Sequence, residues 1–170
     1  MPKLMVSLLT MLTIAAVTAS AQGLQRPPDT VNLEGPRVGM TVLSDSVREK
    51  LSSSGREVGP AITQFGWQKE KRFLSSPDGF TGVTEFVALV GGMEQGIFIP
   101  SFNWMVGVRT KEGVEFAAGP NLTPWGTGMA AAAGVTFKAG NLNIPLNFAA
   151  VRSRSGVRVS VLAGFNARRR

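Results

Sequence analysis

Large apolar residues alternate with small or polar residues along most of the chain. From Leu142 to Ala150 every second position is apolar, and Asn and other small residues fill most of the positions between. The stretch from 156 to 166 repeats this pattern, with Val159 and Ser160 on opposite sides. Successive side chains of an extended strand point to opposite faces, so a period of two predicts strands rather than helices.

Short turns separate the extended segments. The segments cover about 59–74, 80–91, 96–110, 114–122, 127–138, 142–151 and 157–166. Each link offers Gly, Pro, Asn, Asp or Ser for turn geometry, and links this short require antiparallel neighbours. A further strand near Val38 brings the total to eight. A meander of eight strands loses its exposed edges by closing, so the sequence predicts an all-β, eight-stranded antiparallel up-and-down β-barrel.

One short helix is expected after the first strand. In the segment SDSVREKLSSSG, Ser46 and Glu49 have the spacing of a capping box, which predicts a helix over about 45–53. The alanine run in GMAAAAG also has high helix propensity. Its flanking glycines and the VTFK that follows favour a strand instead.

The first residues have the composition of an export signal. Lys3 precedes an uncharged run, and Ala19-Ser20-Ala21 has the small-x-small pattern of a cleavage site. The run is shorter than the roughly 20 residues that a membrane-spanning helix needs. The predicted organisation is a signal peptide at 1–21, an extended or disordered lead-in at 22–37, the barrel at 38–167 and a basic tail at 168–170.

The composition of the two strand faces predicts which of them points outward. One face is large and apolar, whereas the other holds Gly, Ala, Asn and Ser with scattered charges. A soluble barrel needs an outer face rich in charged residues and Thr. Small residues fit a narrow interior, and segments near ten residues match the roughly 9 to 11 needed to cross a bilayer at a tilt. We therefore predict a lipid-facing exterior that includes Phe98, Phe102, Trp104, Phe116, Phe148, Val161 and Phe165.

In this pattern the chain resembles the small outer-membrane β-barrels of Gram-negative bacteria. The resemblance covers residues 38–166, and the last strand ends in AGFN, where Phe165 matches the aromatic assembly signal of that class. The resemblance implies outer-membrane lipids or lipopolysaccharide as partners, and the barrel-assembly machinery during biogenesis. It also implies that both termini are periplasmic, which places Arg152 and Arg154 where they would meet lipopolysaccharide phosphates.

The residue types present limit the chemistry. The chain has no Cys, no His and no Tyr, so the commonest nucleophiles, acid-base groups and transition-metal ligands are missing. We predict no enzymatic activity, no cofactor and no metal site. The net charge is +7, and no acidic residue follows Glu115. In an exported chain, this basic half favours anionic head groups over nucleic acid as a partner.

Several charged residues fall on the face predicted to be interior. Buried charges persist only when they are paired and hydrogen-bonded, so we expect an ion network that fixes strand register and fills the lumen. We assign this network a structural role and no catalytic one. Its predicted members are Glu70, Arg72, Glu85, Arg109, Glu115 and Arg158.

The segment FGWQKEKRF at 65–73 interleaves aromatic and basic residues. Single-stranded nucleic acid is bound by such a combination. In an exported barrel we interpret it as a water-lipid boundary, with lysine stems reaching toward head groups.

Two functional hypotheses follow. The first is a small non-enzymatic outer-membrane barrel with a structural, adhesive or envelope-maintenance role and a filled interior. The second is an exported soluble barrel that carries a lipid or other apolar ligand inside, with the bulky face inward. Under the second hypothesis, Phe148, Val161 and Phe165 would gather at the centre of the barrel.

Overall fold

A computed structural model describes residues 33–52, 55, 57–139 and 142–168. These residues form strands, one α-helix and one 3-10 turn (Met93–Gln95). The helix is α1 (Asp45–Ser52). The strands are β1 (Leu33–Leu43), β2 (Ala61–Ser75), β3 (Thr81–Gly91), β4 (Ile99–Arg109), β5 (Val114–Thr123), β6 (Gly126–Ala139), β7 (Leu142–Ser153), β8 (Gly156–Gly164) and β9 (Asn166–Arg168).

The sheet closes on itself. Each strand from β1 to β8 pairs antiparallel with the next, and β1 pairs with both β2 and β8. The three-residue β9 continues the path of β8 beyond Phe165 and pairs with β1 and β7. The predicted eight-stranded antiparallel up-and-down barrel with one short helix after its first strand is confirmed.

The first strand begins at Leu33, earlier than the sequence predicted. Gly35 and Pro36 look like part of a lead-in, yet both have partners on β2. A Cβ on Gly35 would lie 1.8 Å from the carbonyl oxygen of Phe165, so glycine here allows the two ends of the sheet to meet. The predicted signal peptide, residues 22–32 of the lead-in and residues 169–170 of the tail lie outside the described residues.

The bulky side chains point away from the barrel axis. Phe148, Val161 and Phe165 are 54%, 40% and 53% exposed. The alanine run of GMAAAAG lies in β6 as strand, with its side chains alternating between the two faces. Small and medium apolar side chains share the interior with polar ones: Val87, Leu89, Met105, Ala117, Ala130, Val151 and Leu162. The interior is therefore packed with side chains, as a barrel of eight strands allows.

The two ends of the barrel differ. We call the end that carries α1 the cap end, and the opposite end, where β1 begins and β8 ends, the terminal end. Tight turns at 76–80 and 110–113 join strands at the terminal end. Their glycines, Gly79 and Gly113, have φ of 89° and 90°, values at which a side chain would be strained.

Helix α1 covers the mouth at the cap end. Val47 and Leu51 lie one turn apart on its buried face and belong to an apolar cluster. The rest of this cluster consists of Leu43, Val58, Ile62 and Ile99, with Ile97 and Trp125 packed against it. Lys50 Nζ connects α1 to two neighbouring turns, because it donates hydrogen bonds to the Trp125 carbonyl at 3.0 Å and to Ser155 Oγ at 2.9 Å. Within the described ranges, no helix is long and apolar enough to cross a bilayer.

Candidate functional site

A cluster of charged side chains lies inside the barrel toward the terminal end. Arg109, at the end of β4, donates to both carboxylate oxygens of Glu70, with Nη1–Oε1 at 2.8 Å and Nη2–Oε2 at 2.5 Å. The same Nη2 also hydrogen-bonds Glu115 and lies 3.9 Å from Glu85 Oε1. The four residues come from the consecutive strands β2 to β5. Glu70 stands directly opposite Glu85, and Arg109 directly opposite Glu115, in the strand register.

Of the other two predicted members, Arg72 lies beside the carboxylates and Arg158 does not. Arg72 is partly exposed, and its Nε is 3.5 Å from Glu70 Oε1. Arg158 lies apart from the carboxylates, because it is the third residue of β8, which begins at the cap end. There its Nη2 donates to Asn121 Oδ1 at 2.5 Å. The prediction that Arg158 joins the carboxylate network is therefore corrected.

Arg37 also belongs to this network, although it is not among the predicted members, and it is fully buried. Arg37 Nε donates to Gln68 Oε1 at 2.8 Å, and Gln68 Nε2 donates to Glu85 Oε1 at 2.7 Å. Gln68 thus connects Arg37 to the carboxylates. Val38, Met40 and Val42 point outward and alternate with inward-facing residues. Continued one residue toward the N-terminus, this alternation predicts that Arg37 points inward.

The three buried carboxylates have the donor atoms of a metal site, but guanidinium groups already neutralise them. Glu70, Glu85 and Glu115 each offer a carboxylate oxygen, and these oxygens lie within 4.8 Å of one another. Carboxylate oxygens are ligands for hard divalent cations. The guanidinium of Arg109 already hydrogen-bonds two of these carboxylates, and Arg37 and Arg72 lie beside the other sides of the cluster. Three carboxylates therefore face three guanidinium groups, which is the arrangement of a charge-balanced ion network.

Neutral hydrogen bonds fill the space between this cluster and the cap. Asn121 donates to Ser101 and Asn103, and Thr41 bonds to Gln64 and Ser160. Among the described residues, one cavity of about 30 Å³ lies under α1 and another of about 40 Å³ lies at mid-barrel. Each has room for a few water molecules. Neither has room for a lipid chain.

The exterior of β3 and β4 carries an ordered aromatic group. Phe86 and Trp104 stack with their ring centres 5.9 Å apart and their planes at 7°, and Phe102 lies 6.1 Å from Phe86. Trp104 Nε1 donates to Thr84 Oγ1 at 3.0 Å. An indole N–H on this outward face therefore has a partner within the protein and does not need water.

Exposed phenylalanines gather at the terminal end. Each lies within two residues of a strand end on the outside of the barrel. Aromatic residues at such a level are typical of the water-lipid boundary of membrane proteins. The set consists of Phe73, Phe80, Phe116, Phe137 and Phe165.

No protein-family model matches the sequence, and no curated protein matches it. Solved structures do match the shape of the barrel. The fold is similar to that of Ail, the attachment invasion locus protein of Yersinia pestis. The TM-score is 0.52 and the identity 14%, over 83% of this chain and 100% of that one. Ail bound to the heparin analogue sucrose octasulfate gives a TM-score of 0.48 and 14% identity, over 82% and 99% of the chains.

The likeness to Ail concerns the fold alone, and this chain carries its own set of charged residues at the cap end. At the cap end, Arg152 near the end of β7 and Arg154 in the next turn are both exposed. The resemblance to small outer-membrane barrels implies this position for both arginines. Lys50 joins them, since its Nζ bonds Ser155 Oγ in the same turn.

Glu94 lies at the cap end, in the segment between β3 and β4. Its carboxylate accepts a 2.9 Å hydrogen bond from the Thr63 backbone N–H and another from the Thr63 hydroxyl. Desolvation acts to raise the pKa of Glu94, but these hydrogen bonds outweigh it and hold the pKa below its usual value. Glu94 therefore ties the β3–β4 segment to β2.

Proposed function

We propose that this chain is a non-enzymatic integral barrel of the outer membrane, with a closed lumen and a structural or envelope-maintenance role. The observation that carries the proposal is the placement of side chains in the closed barrel. Large apolar residues cover the outside along the strands, while charged and amide side chains are buried within. In water this arrangement would expose far more contiguous apolar surface than soluble monomers show. In a bilayer it is the favourable one.

The interior supports this reading over a soluble lipid carrier. A carrier needs an apolar cavity of roughly 300 Å³ or more. Here the cavities under α1 and at mid-barrel measure about 30 and 40 Å³, and polar residues line much of each. The side chains that fill the interior also argue against a wide channel, because α1 covers the cap end and the charge cluster fills the terminal end.

The buried carboxylates are poor candidates for catalysis. Glu70 and Glu115 are engaged by Arg109, and Glu85 accepts a hydrogen bond from Gln68. Each carboxylate is buried behind the packed interior. Groups held this way stabilise the fold rather than meet a substrate.

In the proposed orientation the terminal end faces the periplasm and the cap end faces outward. This orientation puts Arg152, Arg154 and Lys50 at the outer rim, where lipopolysaccharide phosphates lie. Guanidinium groups bind phosphate in two-point geometry, so we assign lipopolysaccharide contact to this rim. Phe165, outside the end of β8, is the proposed signal to the barrel-assembly machinery.

Adhesion is the second candidate function. The segment 44–60 that contains α1 is the longest connection at the cap end, and the helix exposes Asp45, Ser46 and Glu49. An adhesive role would use this polar helix face. Replacing these three residues with Ala leaves the buried face of α1 intact, so loss of binding to host cells by that variant would favour adhesion.

Fractionation of the full chain tests the proposal. We expect recovery in the membrane fraction, extraction only with detergent, and a band that migrates differently in boiled and unboiled samples. A closed barrel resists unfolding without heat, which is the reason for the shift. Recovery as a soluble periplasmic monomer would refute the proposal.

A further inference from the structure

Arg158 differs from Arg109 in its partners. Arg109 is surrounded by carboxylates, whereas Arg158 Nη2 donates to the neutral Asn121 Oδ1 at 2.5 Å. Among the described residues, no carboxylate forms an ion pair with Arg158, and its Nε and Nη1 donate to no protein atom. A partly buried guanidinium is stabilised by an anion beside it. The donors that Arg158 does not use within the protein therefore point to an anionic ligand.

Gln64, on β2, offers a second unused donor. Its side chain is 5% exposed, and its Oε1 accepts a 2.5 Å hydrogen bond from the Thr41 hydroxyl. That bond turns the Nε2 amide away from Thr41, and within the described ranges Nε2 donates to no protein atom. Buried amide nitrogens have an acceptor in most proteins. Gln64 therefore points to a ligand that carries an acceptor oxygen.

Arg158 and Gln64 line the same space. Both residues, together with Thr41, border the cavity under α1 and the mid-barrel cavity. Thr41 lies between them, because β1 pairs with β8 on one side and with β2 on the other. Strands β8 and β2 are about 10 Å apart across β1, a distance that an Arg and a Gln side chain span together. One small ligand above Thr41 can therefore contact both donors.

The charges of the lumen are separated along the barrel axis. The carboxylate cluster lies toward the terminal end, beside the guanidinium groups that neutralise it. Toward the cap end, Arg158 and Lys50 border the cavity under α1, and Arg152 and Arg154 lie on the rim above. In the described part of the chain, neither cavity is lined by Asp or Glu. The cap end therefore attracts anions and guides them toward Arg158.

The size of the cavity restricts the ligand. A water molecule needs about 10 to 15 Å³ of cavity volume. The cavity under α1, at about 30 Å³, therefore has room for an anion about two to three water molecules in size. Acetate is such an anion, whereas a lipid or an aromatic acid is too large.

A carboxylate also matches the donors in geometry. A guanidinium group binds carboxylate through two parallel N–H···O bonds, and each carboxylate oxygen has a further lone pair for an amide N–H such as that of Gln64. A halide offers no second acceptor atom to the guanidinium. Leu43 and Ile62 of the apolar cluster line the same cavity and fit a short alkyl group.

We propose that the lumen beneath α1 is a binding site for a small aliphatic monocarboxylate. Arg158 donates to both carboxylate oxygens, Gln64 Nε2 donates to one of them, and the apolar cluster contacts the alkyl group. The site goes beyond the proposed structural role. It requires only the closed barrel, and it differs from the arginine rim, which lies on the outside.

Nuclear magnetic resonance of the full chain in detergent micelles tests this site. Sodium acetate is titrated while the resonances of Arg158 Nε–H and of the Gln64 side-chain amide are followed. We expect both to shift along one saturable curve. Sodium chloride, added in the same steps, controls for ionic strength and should bind at least about tenfold more weakly, because it makes no two-point contact. Shifts that do not saturate, or equal affinity for chloride, would overturn the assignment to a carboxylate.

Two variants assign the binding to the two donors. Arg158→Gln should weaken acetate binding at least about tenfold, because it removes a charge-assisted hydrogen-bond pair. Gln64→Glu keeps the acceptor for Thr41 and puts a carboxylate of the protein beside Arg158, so acetate should no longer shift Arg158 Nε–H. This second variant decides the question if the barrel of Arg158→Gln does not close. Acetate binding that survives in Gln64→Glu would overturn the site.

A control variant and a larger acid test the location. Lys111→Gln removes an exposed cation in the 110–113 turn at the opposite end and should bind acetate as the parent does. Benzoate carries the same carboxylate on a ring too large for the cavity, so its affinity should be at least about tenfold lower. Equal affinity for benzoate, or an equal loss in Lys111→Gln and Arg158→Gln, would overturn a site inside the lumen. Fractionation and the heat-dependent band shift test the proposed function separately, because acetate binding does not require a bilayer.

Discussion

Arg109 and Glu70 form a two-point ion pair that joins β4 to β2 across the intervening β3. Both carboxylate oxygens of Glu70 accept hydrogen bonds from the guanidinium, at 2.8 and 2.5 Å. Glu85 of β3 lies between them, 3.9 Å from Arg109 Nη2. A pair that spans three strands holds their relative register, because a shift of one residue would turn a charged side chain to the outside.

Removal of the Arg109 guanidinium should destabilise the barrel strongly. Arg109→Met leaves three buried carboxylates facing fewer cations, and breaking a buried pair costs about 3 to 5 kcal/mol. Arg158→Met is the matched control, because Arg158 bonds only the neutral Asn121 among its described partners. Loss of that bond should cost about 1.5 kcal/mol. Urea unfolding in detergent micelles measures the free energy of unfolding of both variants. Equal losses of that free energy would contradict the role given to Arg109.

The cap depends on the buried face of α1. An eight-residue helix is too short to be stable alone, so α1 relies on Val47 and Leu51 packing over the barrel mouth. Leu51→Ala should lower the free energy of local opening by about 2 to 5 kcal/mol. Amide hydrogen exchange in α1 should then speed up by at least about 30-fold while the strands stay protected.

Glu49→Ala is the control for the cap, because Glu49 is exposed on the same helix. The substitution should change the free energy of local opening of α1 by no more than about 0.5 kcal/mol. Unchanged exchange of α1 in Leu51→Ala would show that the helix is not held by its contact with the barrel.

The arginine rim should bind lipopolysaccharide. Arg152→Gln with Arg154→Gln removes two exposed cations at the cap end, and membrane-surface cations contribute about 1 kcal/mol each. We expect affinity for lipopolysaccharide micelles, measured by titration of the detergent-solubilised barrel, to fall on the order of tenfold. Lys111→Gln at the terminal end should leave it unchanged. An equal loss in both variants would mean that net charge, not the rim, controls binding.

The contact between Glu94 and Thr63 should be visible in a pH titration. Thr63→Val removes the hydroxyl donor, so the pKa of Glu94 should rise toward its usual value. Because the folded-state pKa is lowered, this contact stabilises the protein above the unfolded-state pKa and is lost as pH falls through the folded-state value. Carboxyl chemical shifts measure the change. Thr127→Val, at the same end on β6, should leave the pKa in place; an unmoved pKa in Thr63→Val would contradict the contact.

Local patterns were enough to predict strands, turns and faces. The alternation around Phe148 and Asn147 specifies which side chain points outward, because strand periodicity is a property of neighbouring residues. The predicted helix over about 45–53 agrees with α1 within one residue. The predicted capping box of Ser46 and Glu49 is wrong, because Ser46 lies inside the helix and the Ser44 carbonyl accepts the first helical hydrogen bond, from Arg48 N–H at 3.1 Å. Neither pattern showed that α1 folds over the mouth, because that contact joins residues distant in the sequence.

The membership of the charge cluster depends on register, which the sequence does not display. Glu70 meets Glu85 and Arg109 only through the pairing of β2, β3 and β4, including an irregularity between Arg72 and Leu74. Arg158 shares the inward face with these residues but lies toward the other end of the barrel. The inward orientation of Arg158 could therefore be predicted from the sequence, whereas its hydrogen-bond partner, Asn121, could not.

The central claim is that hydrocarbon covers the apolar exterior, and a matched pair of substitutions tests it most directly. Phe148 lies mid-strand in β7 and Phe137 two residues from the end of β6, with nearly equal exposures of 54% and 57%. The measurement is the free energy of unfolding in phospholipid vesicles for Phe148→Arg and Phe137→Arg. We predict a loss of about 2 to 4 kcal/mol for Phe148→Arg and about 0 to 1 kcal/mol for Phe137→Arg, because the cost of a charge rises with membrane depth. Equal, small losses at both positions would mean that water surrounds the barrel, and would contradict the account.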